Sequence, residues 1–257
     1  MSARPVRRIS ARRKLPKIIG DNFKTFGLSL VLALIVKTSI VEAYIIPSGS
    51  MENTLYAGDY ILGNKFVYGM KLPVPFVDIR LPAISEPKPG DVVIFKYPLK
   101  PDVCYIKRCI AVEGQVVEIR NKEVYVDGKR SKLPPLGKYI DDRIIAGGKF
   151  HGWGLSEGMA SPPVRDNMPA VRVPKGMLFM MGDNRDNSAD SRFWGFLDKK
   201  LVLGRALFVL WSWEFTEPLP MAADGSLSNI DLWLYNIKHL PSLVQNMRWR
   251  RLGKIIS

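Results

Sequence analysis

Two serines in one short turn are the residues best placed for nucleophilic chemistry. Ser48 and Ser50 lie in the turn at residues 46–51, which directly follows the most apolar stretch of the chain. A serine hydroxyl is a weak nucleophile and needs a base beside it. The two histidines of the chain, His151 and His239, do not lie in settings typical of a catalytic loop. We therefore look for the base among the lysines.

Lys107 is the candidate base. It lies in a run with the composition of a β-strand, residues 104–112, where the two-residue period gives it mostly apolar or aromatic neighbours on its face. Desolvation disfavours the charged ammonium and lowers its pKa, so that the neutral amine can accept a serine proton. A Ser–Lys pair is an established variant of the serine hydrolase arrangement. Alternatively, Lys107 is an edge-strand lysine that opposes aggregation. The residues predicted to share its face are Tyr105, Cys109 and Ala111.

A third segment, residues 181–195, is dense in turn-forming residues. Its acidic residues suggest calcium at first sight, but their spacing does not match an EF-hand loop, and nearby arginines can neutralise them. These charged residues are Asp183, Asp186, Asp190, Arg185 and Arg192. The segment is predicted to be an internally paired turn next to the active site, from which the Ser188 hydroxyl can orient the lysine amine.

The serine turn must be positioned by the apolar stretch before it, residues 23–46. This stretch is long enough to cross a hydrocarbon core of about 30 Å as a helix. Lys37 within it costs about 3 kcal/mol on insertion scales, although its side chain can snorkel to an interface. The alternatives are a buried amphipathic helix and a cleaved signal peptide, and no small-x-small cleavage site supports the second.

A basic arm, residues 1–22, precedes this stretch. Residues 1–17 contain seven Lys and Arg and no acid, which is half of the net charge of +14. By the positive-inside rule the arm is cytoplasmic, and the chain after residue 46 lies outside. The charge distribution thus favours a membrane over nucleic acid as the partner.

The region 47–257 is predicted to be mainly β and to form an antiparallel sheet or barrel-like catalytic core. It follows a predicted N-terminal transmembrane helix in the sequence. Asn121 and Lys122 are predicted to form a hairpin turn. Residues 130–175 differ in composition from the predicted strands around them and are expected to be an irregular insertion or small subdomain. Residues 237–256 are expected to form a final strand. The predicted strands are 60–62, 91–95, 105–112, 115–119, 123–126, 177–181 and 201–213.

Taken together, these segments resemble the type I (leader) signal peptidases, which are membrane-anchored Ser–Lys endopeptidases. The matching stretches, in the expected order, are residues 47–55 with 58–59, 90–93, 105–108 and 182–192. Any one of them is a weak signal, but all of them in order are a strong one. One position departs from the family pattern, because Asn53 stands where a proline is usual. Proline would fix φ near −65° and rigidify the turn after Ser50, whereas asparagine also tolerates turns, so activity is expected to be retained.

The resemblance implies a role for each matching residue. Ser50 is the nucleophile and Lys107 the general base, while the Ser50 backbone N–H and the Ser48 hydroxyl form an oxyanion hole. Ser188 hydrogen-bonds the lysine amine and Tyr105 supports it sterically. The loop is held by a structural pair, Asp190 and Arg192.

The resemblance also implies the setting of the reaction. The enzyme acts in the bacterial inner membrane on signal peptides that end in a small-x-small pattern, with membrane lipids as further partners, and needs no cofactor or metal. Ile46, Pro47 and Ile106 are candidates for the pocket walls. Three other functions remain: a peptidase dedicated to one secretion or conjugation system, a non-catalytic membrane-anchored β-domain, and a repressor-type autoprotease, which the apolar stretch disfavours. Two cysteines, Cys104 and Cys109, are expected to be free.

Overall fold

A computed structural model describes residues 25–30, 40–69, 82–145, 164–215, 217, 219–220, 228–239, 241 and 245–257. The described strands are β1 Val41–Ile45, β2 Asp59–Asn64, β3 Val92–Tyr97, β4 Lys100–Val112, β5 Val116–Arg120, β6 Glu123–Val126, β7 Lys129–Arg130, β8 Met168–Arg172, β9 Met177–Met181, β10 Leu197–Asp198 and β11 Val202–Ser212. The helices are α1 Ser191–Trp194 and α2 Asn229–Lys238. Short 3-10 helices lie at Gly49–Met51, Phe66–Tyr68, Lys199–Leu201 and Trp249–Arg251.

The strands form two antiparallel sheets, which confirms the mainly β fold class. The larger sheet has seven strands in the order β1-β2-β11-β3-β4-β9-β10, and the smaller has four in the order β7-β6-β5-β8. Each of the seven strands predicted between residues 60 and 213 is present, with bounds shifted by a few residues. The β5–β6 hairpin turns at Asn121 and Lys122 with φ of 49° and 73°, as a type I′ turn requires.

The membrane helix was predicted to end at residue 46, and this boundary is wrong. Val41–Ile45 forms strand β1, whose residues pair with β2 from Val41 opposite Asn64 to Ile45 opposite Tyr60. Glu42 and Ala43 are exposed, the other three residues are partly buried, and Tyr44 packs against the apolar cluster under the serine turn. Residues 25–30 are helical. The basic arm and Lys37 lie outside the described residues, and no helix among the described residues is long and apolar enough to span a membrane.

The predicted insertion at residues 130–175 is partly regular. Arg130 ends β7, and β8 lies within the insertion and pairs with β5. Residues 131–145 have no helix or strand, apart from a single bridge from Lys138 to Asn184. Residues 146–163, including His151, lie outside the described residues. The insertion therefore completes the smaller sheet.

The prediction of a final strand at residues 237–256 is also wrong. Helix α2 occupies the start of this region, and the Ser228 side chain caps it by accepting a hydrogen bond from the Ile230 N–H at 3.2 Å. Further on, Trp249–Arg251 is a 3-10 helix, and among the described residues of this region only the single bridges at Met247 and Ile255 have strand character.

Three apolar clusters support the parts that hold the site. One lies beneath the serine turn and includes the fully buried Met51, Leu55 and Ile61. Another surrounds Phe95 beside β4, and the third joins β9 to the smaller sheet. Burial of one such large side chain contributes about 1.5–3 kcal/mol. The serine turn and the lysine strand therefore rest on a rigid base. The two cysteines are free, with Cys104 exposed and Cys109 buried.

Candidate active site

The serine turn is closed by two backbone hydrogen bonds between its ends. The Ile46 N–H donates to the Asp59 carbonyl, and the Gly58 N–H donates to the Ile46 carbonyl, both at 2.9 Å. Between them, the 3-10 helix Gly49–Met51 carries Ser50, with Met51 pointing into the core. This arrangement leaves the Ser50 side chain half-buried at the edge of the larger sheet.

Asn53 has a φ of 74°, in the left-handed region. Asparagine tolerates this region well, whereas proline is restricted to φ near −65°. The departure from the family pattern thus goes with a backbone conformation that proline cannot adopt.

We expect Asn53→Gly to preserve the melting temperature and Asn53→Pro to lower it by at least about 2–4 °C, since an incompatible proline costs more than about 1 kcal/mol. Glycine is the matched control because it accepts a positive φ without strain. Thermal unfolding of the two variants beside the wild type tests this. A proline variant that melts with the wild type would mean that residue 53 has a negative φ in solution.

Lys107 and Ser50 are in direct contact. The Lys107 Nζ lies 2.7 Å from the Ser50 Oγ and 3.2 Å from the Ile106 carbonyl oxygen. Lys107 is only 4% exposed. Burial lowers its pKa to about 8, although the carboxylates of Asp190 and Asp183 act in the opposite direction. At pH 7 about one molecule in ten then carries a neutral lysine, which can accept the serine proton.

Strand β4 fixes the direction of the lysine. Lys107 lies opposite Val93 of β3, and its Nζ lies 5.2 Å from the centre of the Tyr105 ring. Tyr105 in turn stacks on Tyr97 with ring centres 4.3 Å apart. A bulge after Cys109 ends the simple alternation, so the predicted face is right only up to that residue.

Asp183 joins the serine turn to the lysine strand. Its buried carboxylate accepts two hydrogen bonds from the Arg108 guanidinium, at 2.8 and 2.7 Å, and one from the Thr54 hydroxyl at 2.6 Å. Thr54 follows Ser50 by four residues, and Arg108 follows Lys107 directly. One buried carboxylate thus joins the segment that carries Ser50 to the strand that carries Lys107.

This link was not predicted from the sequence, because the partners of Asp183 were expected within its own loop. Asp186 likewise pairs outside the loop, with Lys122 at 3.1 Å. The position of Arg108 next to the candidate base was the available signal. Only the Asp190–Arg192 pair is internal to the loop.

The loop at residues 182–192 also holds the backbone of the serine turn. The Asn184 N–H donates to the Ser50 carbonyl at 3.1 Å, and its side-chain amide donates to the Gly49 carbonyl at 3.3 Å. A Cβ on Gly182 would lie 2.5 Å from the Ser50 carbonyl oxygen and 2.3 Å from the Ser188 Oγ. Glycine is required at 182 because any side chain would push the loop away from the nucleophile.

Asp190 and Arg192 form a buried ion pair at 2.8 Å. Burial acts to raise the pKa of Asp190, but the Arg192 guanidinium outweighs it and holds that pKa below its ordinary value. The Asp190 carboxylate also accepts from the Gly182 N–H at 3.1 Å, and Arg192 donates to the Arg185 carbonyl at 2.6 Å. The pair therefore fixes both ends of the loop.

Ser48 and Ser188, the two serines predicted to assist Ser50 and Lys107, differ in their contacts with them. The Ser48 Oγ lies 3.4 Å from the Ser50 Oγ, on the exposed side of the turn. The Ser188 hydroxyl is buried and makes no hydrogen bond to Lys107, but it lies close enough to the Asp190 carboxylate to help lower the pKa of Asp190. The predicted orienting bond from Ser188 to the lysine is thus absent from this arrangement.

A cavity of about 320 Å³ opens beside the Ser50–Lys107 pair. Ile46, Pro47 and Ile106, the residues named from sequence as candidate walls, all line it. Strand β4 forms one side, and along residues 100–107 it pairs with β3 but not with β9, which begins its pairing at Arg108. One edge of this part of β4 has no strand partner among the described strands, so an extended peptide can approach the pair there.

Comparison with known proteins gives consistent matches. The family described as "Signal peptidase, peptidase S26" matches residues 19–211. A signal peptidase I from Pseudomonas aeruginosa is 36% identical over 74% of this chain and 72% of its own length. A signal peptidase I from Aquifex aeolicus is 31% identical over 88% of this chain and 94% of its own length. A crystal structure of a signal peptidase I from Enterococcus faecalis matches more loosely, with 24% identity and a TM-score of 0.32, over 47% of this chain and 97% of that one.

Proposed function

The chain belongs to the signal peptidase family, peptidase S26, and from this premise we propose that it removes signal peptides from exported preproteins with Ser50 as nucleophile and Lys107 as general base. The 2.7 Å contact between Ser50 Oγ and a buried Lys107 Nζ is the observation that carries the proposal. A serine within hydrogen-bond distance of a lysine of lowered pKa needs no histidine as its base.

The proposed reaction has two halves. Ser50 Oγ attacks the scissile carbonyl as its proton passes to Lys107 Nζ, and the C–N bond then breaks as the lysine returns that proton to the leaving amine. Water next attacks the acyl ester as Lys107 accepts its proton, and the ester C–O bond then breaks as the lysine returns that proton to Ser50 Oγ. The Ser50 N–H and the Ser48 hydroxyl stabilise the oxyanion, each donor contributing about 3 kcal/mol.

The roles of the supporting residues follow from their contacts. Tyr105 limits the side-chain positions of Lys107, and the Asp190–Arg192 pair holds the loop at residues 182–192. Ser188 acts on the lysine only after a rotation of its side chain, because in this arrangement its hydroxyl interacts with the Asp190 carboxylate and makes no hydrogen bond to Lys107. Asp183 and Arg108 join the group as positioning residues.

The cavity beside Ser50 suits small side chains. Its walls are largely apolar, and its volume of about 320 Å³ lies at the lower end of ligand sites. We expect a preprotein with an Ala-x-Ala site to be cleaved once, and a large side chain at position −1 or −3 to lower kcat/KM by at least about 100-fold. The same large side chain at −2 is the matched control and should be tolerated. Small-x-small recognition would be contradicted if the substrates with a large side chain at −1 or −3 were cleaved as fast as the Ala-x-Ala substrate and the −2 control.

The location in the bacterial inner membrane is part of the same proposal. A span over residues 23–40 has 18 residues, or about 27 Å of helix, and ends where β1 begins. Lys37 then lies within a turn of the outer end, where its side chain can reach the headgroups. The basic arm remains in the cytoplasm and residues 47–257 face outward.

Helix α2 supports contact of the outer region with lipid. Four apolar side chains repeat at helical spacing on one face, and all are more than half exposed: Ile230, Trp233, Leu234 and Ile237. Trp249 is 62% exposed, and Arg248 and Arg250 flank it. An amphipathic face with basic neighbours is typical of a segment that rests on anionic headgroups.

We expect brominated phospholipids to quench the tryptophan fluorescence of the vesicle-reconstituted protein, and Trp233→Phe to remove part of that quenching. Trp194→Phe is the control, because Trp194 is only 4% exposed and packs in the core. Unchanged quenching in the Trp233 variant would mean that α2 does not touch the bilayer.

A further inference from the structure

One buried arginine has no acidic partner. Four arginines are buried among the described residues, and three of them are paired: Arg108 with Asp183, Arg192 with Asp190 and Arg251 with Asp59. Arg185 is the exception, although it is only 3% exposed. No carboxylate of the described residues lies within ion-pair distance of its guanidinium. A buried charge without a partner is unfavourable, so a compensating group is expected.

The contacts of Arg185 leave donors free for such a group. Its backbone N–H donates to the Lys138 carbonyl at 2.9 Å, and its Nη1 lies 4.0 Å from the Met181 sulfur, a weak acceptor. Its Nε has no acceptor in the described part of the chain. Burial lowers the pKa of the Arg185 guanidinium, which nevertheless stays charged.

Arg185 lines two cavities that share the segment Ser131, Lys132 and Leu133. The first, of about 720 Å³, also contains the carboxylates of Glu123, Asp141 and Asp142, which oppose an anion there.

The second cavity, of about 500 Å³, has only basic charged side chains in its lining, namely Arg108, Lys132 and Arg185. Asp183 compensates Arg108, whose guanidinium also donates to the Ser257 main-chain oxygen at 3.1 Å. Asp183 and Asp190 also attract the Arg185 guanidinium, although from beyond ion-pair distance, and Lys132 has no ion pair among the described residues. Both cations lie in the wall of this cavity together with the Ser131 hydroxyl.

We propose that this second cavity is a binding site for a phosphate group, in which Arg185 and Lys132 hold the anion and Ser131 donates a hydroxyl. A guanidinium fork matches phosphate oxygens, and two free cations suit a phosphate better than a single carboxylate. The phosphate can be free in solution or part of a lipid headgroup. The site is separate from the Ser50–Lys107 pair and does not rest on the proposed peptidase function.

Thermal unfolding of the full chain in neutral detergent tests the site. Inorganic phosphate is titrated against chloride at constant ionic strength. The wild type should gain roughly 3–6 °C in Tm at phosphate concentrations tenfold above its Kd. Arg185→Met should show no phosphate response and should melt no lower than the wild type without phosphate, because it removes an unpaired buried charge. A purely structural arginine would instead melt lower.

Lys132→Ala changes an exposed side chain and should weaken phosphate binding several-fold with the fold intact, even if Arg185→Met fails to fold. Lys129→Ala is the matched control, since Lys129 is also exposed but lines neither cavity, and it should respond like the wild type. A wild type that ignores phosphate, or a Lys132→Ala response equal to that of the control, would overturn the site.

A second titration distinguishes the two sources of phosphate. Dihexanoylphosphatidylglycerol is compared with dihexanoylphosphatidylcholine, which has no net charge. A shift with the anionic lipid that disappears in Lys132→Ala assigns the site to a lipid headgroup. A shift with inorganic phosphate alone assigns it to a soluble phosphate. A lipid shift that persists in Lys132→Ala without any response to inorganic phosphate would contradict the proposal.

Discussion

Ser50→Ala is expected to lower kcat/KM for an Ala-x-Ala preprotein by about 10,000-fold or more. Loss of a covalent nucleophile leaves only substrate binding and oxyanion stabilisation, and such losses are about 10,000- to 1,000,000-fold in serine hydrolases. The measurement is cleavage of the purified preprotein by the detergent-solubilised enzyme at substrate concentrations below KM.

The fold should survive this change. The Ser50 side chain contacts Lys107 and Ser48, while its carbonyl keeps the hydrogen bond from Asn184. We expect a Tm within about 2 °C of the wild type, as for a half-buried serine. Ser85→Ala is the control, because Ser85 lies away from the cavity and hydrogen-bonds only its neighbour's carbonyl. More than one per cent of wild-type activity in Ser50→Ala would mean another nucleophile.

Lys107→Met should be as inactive as Ser50→Ala and yet no less stable. Methionine fills a similar volume without a charge, and no other described side chain hydrogen-bonds the Ser50 hydroxyl except that of Ser48. Without a base, proton transfer from Ser50 is lost. Cleavage is measured beside Lys96→Met, in which an exposed lysine of the neighbouring strand is changed in the same way. Activity in Lys107→Met would contradict the assignment of the base.

The stability effect follows from the lowered pKa of Lys107. The native chain releases this proton near pH 8 and the unfolded chain near 10.5, so the unfolded state binds more protons between these values. The contribution of Lys107 to the free energy of unfolding therefore rises with pH through this window. Below pH 8 the buried ammonium costs on the order of 3 kcal/mol, at about 1.4 kcal/mol per pKa unit. Lys107→Met lacks this cost, so at pH 7 its Tm should equal or exceed that of the wild type.

Local patterns predict the chemistry of this chain better than its geometry. Ser50 and Lys107 can be named from sequence because each lies in a short segment of distinctive composition. The partners of Asp183 cannot be, because Arg108 and Thr54 are 75 and 129 residues away along the chain. Likewise, the orientation of the Ser188 hydroxyl depends on the packing around Gly182.

The boundaries of the elements were predicted less well, for a physical reason. Residues 41–46 continue the apolar stretch, so hydrophobicity alone cannot mark the point where a helix ends and β1 begins. Only pairing with β2 decides it. At the C-terminus, mixed apolar and basic residues are compatible with a strand or a helix, and the Ser228 cap favours α2. The antiparallel core was predictable because its strands are rich in β-branched residues with clear turns between them.

The pH dependence of kcat/KM tests the Ser–Lys account most directly, because it reports the pKa of the base in the free enzyme. With a preprotein that has no group titrating between pH 6 and 9 near its cleavage site, we predict that kcat/KM rises tenfold per pH unit and levels off near pH 8, the pKa of Lys107. If kcat/KM instead levelled off near pH 6.5, the ordinary pKa range of histidine, lysine would not be the base.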